Sequence, residues 1–412
     1  MKDISMTPHV RIAFRNVLRN RRRSLITFSA VFLALTVMVG IRGLVNGLSD
    51  SIREASILGQ TGSLQVHRRG FLKSMNGASL ELDVPTDAEF MLKIRAVPGV
   101  ADATARISFG AMVNANDTTT PALFTAVDPN NEQRVCPRRF EGVSSGITLA
   151  KAGPTSGLLT PQLAAKLGIK PGMQSTIMAG DRDAALNALD LTYVGAYGES
   201  GLALPDKKVG FVPLQLAQEL LRMPERATEV AVSLHNMDDA DAIKPRLQAA
   251  VGADYEVSTW REIAPWVQEA IAANYHMLNL CAFIFLFVSL LGVVNTMLMS
   301  AFERTREIGT MMAVGVRRRQ ILSLFLLEAA LLGLLGGVFG AAAGGSLVAY
   351  FYHHGITFRL SNVPTPFHIR PWIDAGYLLT TLGLAVAGAV LAALWPAMRA
   401  SRLRPVEALA SV

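Results

Sequence analysis

Four long apolar stretches, separated by polar segments, dominate the hydrophobic pattern of this chain. They cover residues 24–41, 270–302, 320–358 and 375–398, and the third is interrupted by a single acid, Glu328. A membrane-spanning helix needs about 20 consecutive apolar residues. The pattern therefore predicts four transmembrane helices, of which the first is the shortest.

A long segment of mixed pattern lies between the first and second apolar stretches. The sequences SLQVHR and ISFGAMVNA alternate apolar and polar residues as strands do, whereas PTDAEFMLKIRAVPGV has a helical pattern that stops at Pro98-Gly99. The predicted fold class is an α-helical membrane protein with four transmembrane helices. A large mixed α/β extracytoplasmic domain, with an inserted second lobe near 128–210, lies between the first and second spans.

The predicted segments divide the chain into nine parts. They are a cytoplasmic amphipathic N-terminal helix (1–23), transmembrane helix 1 (24–44), the extracytoplasmic domain (45–275), transmembrane helix 2 (276–302), a cytoplasmic coupling helix (303–319), transmembrane helix 3 (320–352), an external loop (353–373), transmembrane helix 4 (374–396) and a cytoplasmic tail (397–412).

Basic residues define the orientation of these segments. The chain has a net charge of +7, and residues 1–24 hold seven Lys or Arg against one Asp. The segments 301–319 and 397–412 are also basic. With four spans, all three basic segments lie on the same side of the membrane. Because short cytoplasmic loops are rich in Lys and Arg, both termini are predicted to be cytoplasmic. No A-x-A-like site follows the first stretch, so we interpret it as a retained span and not as a cleaved signal peptide.

Composition and motifs argue against an enzyme in this chain. With 51% hydrophobic and 17% charged residues and a mean hydropathy of +0.33, the chain is too apolar for an ordinary soluble domain. The sequence has no G-x-x-x-x-G-K-[ST] loop and no H-E-x-x-H motif. We predict no catalytic residue, no metal site and no nucleic-acid partner, since the basic charge follows the membrane topology.

Two features of the membrane segments carry candidate function. Intramembrane acids are costly, so Glu328 is expected either to pair with a basic residue of the N-terminal helix or coupling loop, or to transmit movement between loop and spans. Gly336, Gly340 and Gly344 recur at four-residue spacing, which permits close helix packing. We favour packing within the chain over a homodimer seam.

The sequence ERTREIGTMMAVGVRRRQI, followed by FLLEAALLGLLGG and WPAMRASRLRPVEAL, resembles the MacB/FtsX-like permease superfamily of type VII ABC transporters. Within that superfamily, GQTGSLQVHRRGF and LLTPQLAAKLGIKPGMQSTIM are most similar to the lipoprotein-releasing (LolC/LolE-type) permeases. The resemblance implies a permease dimer, of one chain or of two paralogues, in the bacterial cytoplasmic (inner) membrane. It also implies two separate ABC ATPase subunits that bind ATP and Mg, with no cofactor in this chain and with a periplasmic carrier or adaptor as a further partner.

The family's coupling-helix pattern maps onto one run of residues. These are Glu303, Arg304, Arg306, Glu307, Ile308, Gly309, Met312, Ala313, Gly315 and Val316. Charged residues orient a protein interface, and Ile308 and Met312, four residues apart, are expected to supply an apolar knob for the ATPase. Positive-inside topology alone does not explain the two glutamates in this loop.

The implied function is ATP-driven movement of the extracytoplasmic domain, with extraction of a lipoprotein or other hydrophobic substrate from the outer leaflet. The alternatives are a transmembrane regulatory transducer and an efflux permease that uses a periplasmic adaptor. Apolar residues at the outer ends of the first two spans are candidates for lateral substrate access, or they simply pack the two spans together. These residues are Val39, Ile41, Leu44, Val45, Met277, Leu278, Leu280 and Phe283.

Overall fold

The computed structural model describes residues 15–17, 19, 21–74, 80–198, 209–358 and 367–402. The chain divides into two compact units. The membrane unit comprises Met1–Ser49, Ala272–Ile356 and Ile369–Val412, and the external unit comprises Asp50–Ile271 and Thr357–His368. The predicted N-terminal helix is described only at residues 15–17 and 19, which are helical, and the end of the predicted tail, 403–412, lies outside the described residues.

Twelve α-helices are found among the described residues. In chain order they are α1 (Arg21–Ser56), α2 (Phe71–Ser74), α3 (Ala88–Arg95), α4 (Pro129–Val135), α5 (Pro161–Leu167), α6 (Leu214–Leu220), α7 (Ala240–Val251), α8 (Trp260–Ile263), α9 (Pro265–Glu303), α10 (Thr305–Ala313), α11 (Arg318–His354) and α12 (Ala375–Ser401). Helix α1 continues into a π-helical turn, Ile57–Thr61.

The strands alternate with the short helices. They are β1 (Leu64–Arg68), β2 (Val84–Pro85), β3 (Val100–Ala115), β4 (Thr118–Val127), β5 (Val143–Gly146), β6 (Ser156–Leu159), β7 (Gln174–Gly180), β8 (Leu186–Tyr197), β9 (Val209–Pro213), β10 (Arg226–Ala227), β11 (Glu229–Leu234), β12 (Tyr255–Thr259), β13 (Ile356–Phe358) and β14 (Phe367–Ile369).

Within the described part of the chain, four helices are long and apolar enough to cross a membrane, namely α1, α9, α11 and α12. The α/β domain lies between the first and the second of them, so the predicted fold class is confirmed. Helix α1 continues twelve residues beyond the predicted span end at residue 44, and α9 begins at Pro265, before the predicted start at 276. Neither extension has a proline beyond its first turn, so each helix runs on past the apolar stretch that identified it.

One ten-stranded sheet forms the framework of the external unit. Its strand order is β12-β1-β11-β3-β4-β9-β6-β8-β5, and β7 pairs with β3 and β8. The hairpin β3–β4 turns at Asn116 and Asp117, which have φ of 47° and 59°. Asn and Asp tolerate this left-handed backbone better than most residues, and two-residue hairpin turns require it.

Hydrophobic residues of both sheet and helices form the main core of the external unit. Helix α3 shows how the local sequence supports this packing: Asp87 caps it by accepting a hydrogen bond from the Phe90 amide, and Phe90, Met91 and Ile94 are buried. The segment 128–210, expected to be an inserted lobe, contributes β5–β8 to the same sheet. A smaller cluster that includes Leu149, Leu158 and Phe211 covers this part.

The glycines of α11 pack against α1 within the membrane unit. A Cβ added at Gly340 would lie 2.7 Å from the carbonyl oxygen of Phe32, and one added at Gly344 would lie 2.7 Å from the Val39 Cβ. Gly336 approaches Val31 in the same way. The small residues therefore allow two helices of one chain to pack closely, which is the arrangement that we favoured over a dimer seam.

Candidate functional site

Helix α10 is a short helix between two membrane-spanning helices. Helix α9 ends at Glu303 and α10 begins at Thr305, so Arg304 lies at the junction. The helix ends at Ala313, and Gly315, two residues later, adopts a φ of 99° that disfavours other residues. The Gly315 and Val316 amides donate to the carbonyls of Met312 and Met311 at 3.1 and 3.0 Å, and these bonds close the last turn.

One face of α10 is buried in the membrane unit. Ile308 is only 1% exposed and belongs to a hydrophobic cluster with Ile321 and Phe325, and Gly309 is also buried. Met312 is half-buried and packs against the same cluster. The structure therefore places Ile308 in the interior of the chain and not on the surface where a knob for a partner was expected, because its helical position faces α11.

A chain of ion pairs links α10 to its neighbours. Arg304 Nη1 lies 3.4 Å from Glu328 Oε2 in α11, and Arg304 Nε lies 3.1 Å from Glu307 Oε2 in α10. Glu307 also accepts two hydrogen bonds of 2.8 Å from Arg19 Nη2. Of the two partners considered for Glu328, the structure thus shows the coupling-loop arginine in direct contact.

The side chains of these ion pairs change from exposed at one end of the series to buried at the other. Arg19 and Glu307 are about half exposed, whereas Arg304 and Glu328 are buried. Burial tends to raise the pKa of Glu307, but hydrogen bonds from Arg304 and Arg19 outweigh burial and hold its pKa below the ordinary value. Glu307 therefore carries a negative charge at neutral pH. Arg23 also pairs with Glu303.

The other face of α10 is exposed. Glu303, Arg306, Glu307 and Gly315 of the predicted set are on the surface, together with Val314, which is 83% exposed at the end of the helix. Sequence reasoning missed Val314 as a surface residue and Arg19 as a partner of Glu307.

The candidate substrate-access residues do not form one surface. Val39 and Leu278 are buried, whereas Met277, Leu280 and Phe283 are at least 60% exposed. The remaining three are exposed (Leu44) or half-buried (Ile41 and Val45). Val39 packs against Gly344, so its role in this structure is helix packing.

Helices α1 and α9 do meet near these residues. Tyr275 Oη donates to Asn46 Oδ1 at 3.1 Å, and the Arg42 guanidinium lies 4.7 Å from the centre of the Tyr275 ring. These contacts bring the outer ends of the two helices together. Leu44 lies between Arg42 and Asn46, Met277 lies two residues after Tyr275, and both are exposed.

Known proteins match both halves of the chain. Residues 24–250 match the MacB-like periplasmic core domain, and residues 279–405 match the FtsX-like permease C-terminal family. The uncharacterized ABC transporter permease YvrN of Bacillus subtilis (strain 168) is 25% identical over 98% of this chain and 99% of its own length. The macrolide export ATP-binding/permease protein MacB of Nitrobacter winogradskyi is 27% identical over 97% of this chain.

The chain spans 60% of the length of that MacB relative. Among solved structures, the periplasmic region of MacB from Actinobacillus actinomycetemcomitans aligns with 53% of this chain and with 95% of its own chain. The sequence identity is 10% and the TM-score is 0.36. The periplasmic core match covers more than half of the 412 residues. The chain therefore belongs to the MacB/FtsX-like family and is an inner-membrane permease of the ABC transporter class, with a periplasmic core domain between its first two spans.

Proposed function

We propose that this permease receives mechanical force from a separate ABC ATPase at the exposed face of α10 and passes it into its membrane helices. The observation that carries the proposal is the ion-pair chain Arg19–Glu307–Arg304–Glu328. Because Arg304 contacts α10 and α11 at once, a displacement of α10 changes the environment of a buried charge in α11. A buried charge that loses its partner is costly, so the two helices are expected to move together.

The docking surface in this proposal consists of Arg306, Val314 and the exposed edge of Glu307. Val314 supplies the apolar contact that was first expected from Ile308, and Arg306 supplies charge that orients the partner. The proposed assembly contains two ATPase subunits, which bind ATP and Mg, and a second permease copy or paralogue. Helices α1 and α9 each include residues of both units and are the proposed path of movement to the external unit.

Arg306 is a more specific position than Glu307 for testing docking. Glu307 also makes ion pairs within the chain, so changing it would affect more than the docking surface. Arg306→Glu and Val314→Asp should each reduce co-purification with the ATPase by roughly tenfold or more, since losing an interfacial contact commonly costs a few kcal/mol. The thermal unfolding temperature of the permease should not change. Lys170→Glu, the same charge reversal at an exposed site of the external unit, is the control. Normal co-purification and full transport in both α10 variants would refute the docking surface.

The proposed cargo is a lipoprotein or another hydrophobic molecule that enters from the outer leaflet beside Leu44 and Met277. This rests on their exposure near the α1–α9 junction and on the resemblance to lipoprotein-releasing permeases. Photo-crosslinkers at positions 44 and 277 should capture a lipidated substrate in the nucleotide-free complex and lose it on ATP binding. A crosslinker at the buried position 278 is the control.

A second candidate function is export of a small amphiphile with a periplasmic adaptor. The name of the Nitrobacter winogradskyi relative, a macrolide export protein, favours this candidate. Crosslinking of a macrolide but not of a lipoprotein at positions 44 and 277 would support export. Crosslinks to the second permease alone, under every nucleotide condition, would exclude substrate access there and support the regulatory-transducer alternative.

A further inference from the structure

A cavity of about 350 Å³ lies in the external unit beside the π-helical turn that ends α1. Gln60 and Thr61 of that turn line it on one side. Aromatic rings line much of the rest: Phe109 and Phe124 stack with centroids 5.7 Å apart, and Tyr197 meets Phe211 edge-on at 4.6 Å. Flat apolar molecules pack well against such rings, and the volume is in the lower range of small-molecule sites.

The polar end of the cavity is balanced in charge. Arg106 and Arg139 line it, and both bind Glu132, with nitrogen–oxygen distances of 2.7 and 2.6 Å. Glu229, also in the lining, lies 3.9 Å from Arg106. Two positive and two negative groups therefore compensate one another, and a ligand that carried a net charge would disturb this balance.

In the part of the chain that the structure describes, a glutamine side chain at the cavity has a buried oxygen without a hydrogen-bond donor. Gln65 is 3% exposed, and its Nε2 donates to the Thr61 carbonyl at 2.8 Å. Among the described residues, its Oε1 has no hydrogen-bond donor within reach. Because buried polar atoms are nearly always hydrogen bonded, this oxygen is suited to a donor from a bound molecule.

We propose that this cavity binds a small uncharged molecule with a flat apolar body and one hydrogen-bond donor. The aromatic rings hold the apolar body, and the donor group bonds to Gln65 Oε1. The charges of the ion cluster sum to zero, so the cluster selects against charged compounds. The site lies wholly in the external unit and does not depend on the ATPase, so its failure and failure of the docking proposal are separate results.

The probe is 2-naphthol, which is uncharged at neutral pH and has a single hydroxyl donor, and naphthalene is its matched analogue without the donor. Calorimetry with the full chain in lipid nanodiscs, corrected with empty nanodiscs, should show saturable binding of 2-naphthol. We expect it to bind roughly tenfold more tightly than naphthalene, as one added hydrogen bond to a buried acceptor implies. Gln65→Met keeps a side chain of similar size without the acceptor, and it should remove this preference.

A pair of variants on β4 locates the site. Thr125 lines the cavity, so Thr125→Trp should fill it and abolish saturable binding of both probes. Thr119 is exposed on the same strand outside the lining, so Thr119→Trp should bind as the unmodified chain does. The proposal is overturned if the unmodified chain shows no saturable binding, if Thr125→Trp binds normally, or if Gln65→Met retains the preference for 2-naphthol.

Discussion

The two units of this permease hold buried charge in different ways. In the external unit, Arg106, Glu132 and Arg139 form a cluster whose side chains are at most 6% exposed. In the membrane unit, the ion-pair chain Arg19–Glu307–Arg304–Glu328, called the graded chain below, begins with a side chain that is 56% exposed. It ends with one that is 5% exposed. Every member of the first arrangement is buried, whereas the second connects the surface to the interior.

The closed cluster fixes the end of α1 within the external unit. Arg106 Nη1 donates to the Gln60 carbonyl at 2.8 Å, and Arg139 donates to the same oxygen. The Cys136 thiol accepts from Arg106 and donates to the Ile57 carbonyl, which accounts for a buried free cysteine. The Ile57 carbonyl also accepts from the Gly62 amide at 2.9 Å, so the cluster adds donors to two carbonyls of the π-helical turn.

Buried charge is stable here because each group is paired. Burial alone would lower the pKa of Arg106, but the adjacent Glu132 raises it above its ordinary value. Burial alone would raise the pKa of Glu132, but Arg106 and Arg139 hold it below its ordinary value. Both groups thus stay charged, and what the cluster adds is a defined geometry more than net stability. The graded chain, in contrast, is open to a partner at one end.

The largest effect is expected from breaking the closed cluster. Arg106→Met leaves Glu132 buried with one partner and removes a donor from Gln60, so the free energy of unfolding should fall by about 3–5 kcal/mol. Urea unfolding followed by circular dichroism measures it. Arg134→Met is the control, because Arg134 is exposed and pairs with Asp102 at the surface, where the cost is about 0–1 kcal/mol. If both variants lost the same free energy of unfolding, burial of the charge cluster would not explain the loss in Arg106→Met.

A smaller loss is expected at the buried end of the graded chain. Glu328→Gln removes the charge at nearly constant size, and Arg304 keeps only Glu307, so the cost should be roughly 2–3 kcal/mol. Thermal unfolding in detergent measures this. Glu303→Gln removes an exposed partner of Arg23 and should cost under about 1 kcal/mol. If the Glu303 variant lost as much stability as the Glu328 variant, burial would not be the cause.

A buried histidine beside the closed cluster should give the external unit acid sensitivity. Burial lowers the pKa of His67 below 6.5, although Glu229 and Glu256 oppose the shift. The unfolded chain then binds the proton more readily, so stability falls as the pH drops below about 6.5 and the loss ends below the folded pKa. His67→Phe keeps the stack on Phe71 and should remove this dependence.

The urea midpoint at pH 7.5 and at pH 5.5 provides the measurement for His67. The matched change His235→Phe alters an exposed histidine and should leave the acid sensitivity in place. An unchanged difference between the two pH values in His67→Phe would assign the sensitivity to other groups.

The smallest effect is expected at the exposed end of the graded chain. Arg19 and Glu307 are about half exposed, so a double-mutant cycle of Arg19→Ala and Glu307→Ala should give a coupling energy of about 0–1 kcal/mol at low salt. At about 1 M salt the Debye length is near 3 Å and the coupling should vanish. A coupling energy that persists at high salt would show that dissolved ions do not screen this pair.

The sequence by itself determined the elements that depend on local pattern. Apolar stretches of about 20 residues identify spans wherever they occur in the fold, and the strand patterns predicted near β1 and β3 agree with the sheet. The charged loop 303–319 likewise indicated α10. In each case the determining interactions lie within a few residues.

Only the tertiary structure decided which distant residues meet. The parallel pairs β4–β9 and β6–β8, which draw the 128–210 segment into the main sheet, join strands far apart in sequence. Ile308 faces inward and Val314 outward because α10 packs on α11, and Arg304 reaches Glu328 across 24 residues. The partners of Arg106 come from α4, the π-helical turn and β11. Such contacts depend on the path of the whole chain, and no local pattern encodes them.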